Sequence, residues 1–128
     1  MARIVLILLA TLLLAGCQPR KTGLFSSLEL AKDGLFYGYE IFIVKGDRPT
    51  GRESDYYAIV QCANGRVSPP ILGQVEMSAD QVTIVISQHS GLGCPSSKFV
   101  GTVGFKELTG SFGNGKELLL PRKDSFWE

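Results

Sequence analysis

Leu35 to Val44 reads LFYGYEIFIV, and its alternate positions Leu35, Tyr37, Tyr39, Ile41 and Ile43 are all apolar or aromatic. The intervening positions include Gly38 and Glu40. A period of two residues marks a strand with one face turned inward, here the odd-numbered face. From residue 24 onward, short apolar runs alternate with clusters of Gly, Pro, Asn and Asp. That rhythm predicts an all-β chain. The expected strands are Ser27–Ala31, Leu35–Val44, Tyr56–Cys62, Ile71–Met77, Gln81–Ser87, Phe99–Val103, Leu108–Phe112 and Lys116–Pro121. Lys32-Asp33-Gly34, Ala63 to Arg66 and Ser78-Ala79-Asp80 are the expected turns, and Ser68-Pro69-Pro70 can only be edge or loop.

The last three strands can be paired by matching side chains. If Val103 faces Leu108, Gly101 faces Gly110 and Phe99 faces Phe112, so every pair agrees in character. Two facing glycines predict a bend or a close backbone approach, as at a barrel corner. The following turn contains Gly113-Asn114-Gly115. A two-residue Asn-Gly turn would oppose Phe112 and Glu117, whereas a three-residue loop opposes Phe112 to Leu118 and Gly110 to Leu120. The buried face decides register, which favours the longer loop. Eight strands joined mostly by hairpins predict a small antiparallel meander closed into an eight-stranded barrel, with a two-sheet β-sandwich as the alternative. A barrel of that size is filled by side chains or holds one small ligand. The inward Tyr, Phe, Ile and Leu predict a mostly filled interior.

The N-terminus follows another logic. After Met1-Ala2-Arg3, an apolar run from Ile4 to Leu14 is interrupted only by Thr11. A spanning helix needs about 20 apolar residues, so the run is short for that, and it has no polar face. A charged start, a short apolar stretch and small residues describe a secretory signal peptide. Leu14-Ala15-Gly16-Cys17 resembles the lipobox of bacterial lipoproteins. That resemblance covers about the first 17 residues. It implies cleavage before Cys17, a diacylglyceryl thioether on its sulfur and a fatty-acylated amine. Gln18 in place of Asp implies, by the enterobacterial sorting pattern, the outer membrane with the domain facing the periplasm. The expected organisation is a signal peptide over 1–16, an acylated Cys and polar tether over 17–23, and one β domain over 24–128.

The other cysteines are Cys62 and Cys94. Outside the cytosol, two cysteines in a small domain form a structural disulfide. No Cys-x-x-Cys is present, and two thiols with the single His89 fall short of a closed zinc site. No metal or cofactor is expected.

Without residues 1–16, Lys and Arg fall from 13 to 12 against 12 Asp and Glu. With no basic run or stripe, nucleic acid is not an expected partner. His89 stands beside Ser87 and Ser90, but a catalytic triad needs an orienting acid and an oxyanion hole that meet in space. The chain therefore reads as non-enzymatic. Lys45 to Asp55 is a charged loop longer than an ordinary hairpin connection, and its Arg48, Arg52, Glu53 and Asp55 make it a candidate binding loop. Tyr37 and Tyr39 suit a barrel interior and rim, alternation splits Tyr56 from Tyr57, and Phe126-Trp127 reads as packing or as an anchor.

These features predict an envelope lipoprotein, held to the membrane at Cys17, that binds a protein or other envelope component through its loops. Two alternatives stand beside it. The layout is similar to bacterial lipoproteins that block lysozyme, which share a lipobox, a small β-barrel and a disulfide. A small apolar-ligand carrier resembling lipocalins is the other, and it would require an interior cavity of about 300 Å³ or more.

Overall fold

A computed structural model describes residues 17–46, 56–86 and 94–124. Nine strands follow in order: β1 (Gly23–Ser26), β2 (Glu29–Leu30), β3 (Phe36–Lys45), β4 (Tyr56–Gly65), β5 (Ile71–Ser78), β6 (Gln81–Ile86), β7 (Lys98–Val103), β8 (Glu107–Phe112) and β9 (Leu118–Lys123). From β3 to β9 each strand pairs antiparallel with the next, and β1 pairs with both β3 and β9. That double pairing closes an eight-stranded antiparallel barrel, with β2 as an extra strand on β3. The sandwich alternative is thereby excluded, because no sheet edge separates two layers.

Alternation predicted the inward face from Tyr39 to Ile43, whereas Leu35, expected on the same face, precedes β3 in the turn and is exposed. Ile41 and Ile43 of β3, Ala58 and Val60 of β4, and Val82, Ile84 and Ile86 of β6 are buried, and the residues between them are not. Tyr39 lies inside, its ring 5.3 Å from that of Phe112. Phe112 in turn meets Phe99 edge-on at 5.1 Å. Strands β3 and β8 are not neighbours, so this aromatic chain crosses the interior and fills it. Tyr37 lies at the rim, where its hydroxyl donates to an Asp33 carboxylate oxygen at 3.2 Å. That bond, aided by the carboxylate charge, raises the Tyr37 pKa above the usual tyrosine value.

The glycine pairing is as anticipated: Phe99 faces Phe112, Gly101 faces Gly110 and Val103 faces Leu108. A Cβ on Gly101 would run into the Thr109 carbonyl, and one on Gly110 into the Val100 carbonyl. The Phe99 ring lies over both glycines and covers the space their missing side chains leave.

Three expectations need correction. The first strand begins at Gly23 rather than Ser27, because Leu24 and Phe25 are a short apolar pair that gains its partners only on closure. Ser26 opposes Glu40 and Glu29 opposes Tyr37, so β2 resumes the register of β1 after an interruption at Ser27 and Leu28. There Ser27 donates its N–H to the Tyr39 carbonyl at 2.8 Å, and its Oγ accepts the Tyr39 N–H at 3.2 Å. Gly38 makes room with φ of +111°, and a Cβ there would strike the Ser27 carbonyl. Second, β4 runs on to Gly65 because β3 pairs with it as far as Phe36. Third, Leu118 faces Gly110 and Leu120 faces Leu108. This register is shifted by two from the expected one. An even shift keeps the same residues inward, so the apolar face survives and the turn lengthens to residues 113–117.

We predict that Gly110→Ala lowers stability by about 1–3 kcal/mol, the cost of forcing atoms into a packed interior. Urea unfolding measures it.

Candidate functional site

The barrel has two ends of different character. One carries residues 17–22, the end of β3, the β5–β6 and β7–β8 turns and the end of β9. The other carries the β2–β3 turn, the β4–β5 connection, the β8–β9 turn and the disulfide.

At the first end the organising residue is Arg122. Leu118 and Leu120 face the interior side, and two residues further the same alternation turns Arg122 inward. Its guanidinium carbon lies 4.5 Å from the centre of the buried Phe25 ring. Its Nη1 donates to the Thr22 carbonyl at 2.7 Å. Nη2 donates to the carbonyls of Arg20 at 2.7 Å and Gly104 at 3.0 Å, and Nε to that of Phe105 at 3.0 Å. The Arg122 N–H also donates to the Lys106 carbonyl at 2.7 Å. One planar fork thus ties three segments together: the chain before β1, the β7–β8 turn and β9 itself.

Within the expected tether over residues 17–23, two carbonyls, those of Arg20 and Thr22, are held by Arg122. Cys17 is exposed and takes no part in the disulfide. It lines a cavity of about 180 Å³ together with Gln18, Pro19, Lys21, Ala79, Asp80 and Val103. The cavity lies at the barrel end, between the leading segment and the β5–β6 turn. It falls below the volume an apolar-ligand carrier requires.

At the other end Cys62 and Cys94 are bonded, as predicted, with their Cα atoms 5.1 Å apart. Both are buried. The bond joins β4 to the chain entering β7. Ser68, also buried, supports it: its Oγ accepts the Cys62 N–H at 3.0 Å and donates to the Pro69 carbonyl at 3.1 Å. The Pro69-Pro70 segment is a connection, as its lack of N–H groups requires.

A third feature escaped the sequence reading. On the outer wall, Leu24 faces Phe42, Phe42 faces Ile59 and Ile59 faces Leu72. This row of four large apolar side chains crosses four adjacent strands. Val44 and Tyr57 face each other in the next row, which continues through Gln74 to Val85. Leu72 is 61% exposed and Val85 44%. The signal was present: FYGYEIFIV and YYAIV are apolar at nearly every position, not at alternate ones, which marks strands covered on both faces.

Residues 1–16, where a signal peptide is expected, the loop bearing Arg48, Arg52, Glu53 and Asp55, Ser87, His89 and Ser90, and Phe126-Trp127 lie outside the described residues. Among the described residues, no group of three or more His, Cys, Asp or Glu side chains is arranged to hold a metal ion. No protein-family model matches the chain, and no curated protein or solved structure matches it.

Two outcomes are expected. Replacing both Cys62 and Cys94 by Ser removes a crosslink spanning 32 residues and lowers unfolding stability by roughly 3–4 kcal/mol. Arg122→Lys, which keeps the charge but cannot fork across four carbonyls, costs about 2–3 kcal/mol. It also exposes the Arg20 and Lys21 peptide bonds to limited trypsin digestion, which a gel reads directly.

Proposed function

We propose that this protein is a non-enzymatic bacterial envelope lipoprotein, acylated at Cys17 and facing the periplasm from the outer membrane, that holds a protein partner against its outer wall. The observation that carries the proposal is the apolar row Leu24–Phe42–Ile59–Leu72. Three interstrand spacings of about 4.8 Å make it roughly 14 Å long. With Val44 and Tyr57 alongside, it forms an apolar face of the kind that marks an interaction site. Side chains fill the interior, which supports a protein that binds on its surface over one that binds in a cavity.

The charged loop with Arg48, Arg52, Glu53 and Asp55 joins β3 to β4, the two central strands of this wall. Its charged residues are proposed to contribute polar contacts to the same partner, as charged groups commonly do in protein interfaces. Catalysis and cofactors have no part in the proposal, and nucleic acid is not a partner in it.

The test is chemical cross-linking in intact envelopes followed by recovery of the protein. Leu72→Asp should leave stability within about 0.5 kcal/mol, since the side chain is already in water. It should abolish the cross-linked product. A product that survives both Leu72→Asp and Ile59→Asp contradicts the proposal.

A further inference from the structure

We infer that the Cys17 end of the barrel lies directly on the phospholipid bilayer and that Phe105 enters the interfacial region as a second point of attachment. The inference rests on the proposed acylation of Cys17 and goes beyond it, because acylation alone would allow the domain to hang from a flexible tether.

Three observations remove that freedom. The carbonyls of Arg20 and Thr22 are held by Arg122, so the chain is fixed to the barrel within three residues of Cys17. Cys17 itself shares a cavity wall with Ala79, Asp80 and Val103. A lipid on its sulfur is then attached at the barrel end, and the bilayer must come to that surface. Phe105 stands two residues beyond Val103, at the tip of the β7–β8 turn, and is 60% exposed. Its own carbonyl accepts from Arg122 Nε, so the ring is presented on a fixed backbone.

An exposed aromatic ring on a tight turn gains nothing from water. At a bilayer surface it would bury apolar area among headgroups, the environment aromatic side chains favour in membrane proteins. Lys106, next in sequence and exposed, can reach lipid phosphates with its long stem. This end also carries Asp80, Glu107 and Asp124, so attachment relies on the ring and not on a uniformly basic surface. The geometry gives the barrel an orientation. The disulfide and the β2–β3 turn point away from the membrane, and the outer wall stands upright beside it.

Site-directed tryptophan fluorescence tests this. Trp127 is the chain's single tryptophan, so Trp127→Phe supplies a silent background. Into it, Phe105→Trp or, at the far end, Leu35→Trp is introduced, and both positions are exposed in the native fold. The full protein, purified from membranes, is reconstituted into phosphatidylcholine–phosphatidylglycerol vesicles containing lipids brominated high on the acyl chains. Mass spectrometry of the same preparation reports the state of Cys17. With acylated Cys17, the expected result is a blue shift and loss of most emission at position 105, and unchanged emission at position 35. Acylated protein with position 105 unquenched, or with both positions quenched alike, overturns the orientation and leaves the lipoprotein reading intact. An unmodified Cys17 overturns the lipoprotein reading and the inference together.

Discussion

Strand β1 meets β9 at two residue pairs, Leu24 with Lys123 and Phe25 with Arg122. Every other seam of the barrel is longer. Two pairs are too few to hold a closed sheet, and Arg122 makes up the difference. Its guanidinium covers the Phe25 ring and engages four carbonyls from the leading segment and the β7–β8 turn. Charge-assisted hydrogen bonds of this kind are about twice as strong as neutral ones. Those to Thr22 and Gly104 are part-buried at the barrel mouth, whereas those to Arg20 and Phe105 are exposed. Closure, the burial of Phe25 and the placement of Cys17 all depend on this residue.

Once closed, the barrel has little interior left to offer. Tyr39, Phe112 and Phe99 cross it at one level, and Ile41, Ile43, Val60, Ile84 and Leu120 fill the rest. The proposed function therefore uses the outside: the apolar wall on β1, β3, β4 and β5, and the end that carries Cys17. The two are compatible in space, because the wall runs along the barrel and the proposed attachment lies at its base. A protein held upright on a bilayer would present the wall sideways to a neighbour in the same membrane or the periplasm.

Much of this was legible in the sequence. Period-two alternation located the strands, and the Gly101–Gly110 match fixed a register that the structure reproduces. The missing parts have separate physical causes. Leu24-Phe25 was too short to register as a strand because its partners, Ile41 and Arg122, lie 16 and 97 residues away in sequence. Arg122 follows a proline and carries a charge, so local reading ended the last strand at Pro121. Alternation from Leu118 and Leu120 would have placed it inward, where only a cap on the barrel mouth makes sense of it. The outer wall went unnoticed because attention to one buried face hides apolar residues on the other. The register expected for β9 was off by two because turn length is set by residues 113–117, whose polar composition fits several lengths.

The most direct test of the account is amide hydrogen exchange on the native protein, resolved to single residues. If β1 is an integral stave held by Arg122, the amides of Leu24 and Phe25 exchange as slowly as those of Ile41 and Leu120, in the global unfolding regime. If they exchange orders of magnitude faster than the rest of the barrel, β1 is a loosely docked arm, closure does not depend on it, and the account is contradicted.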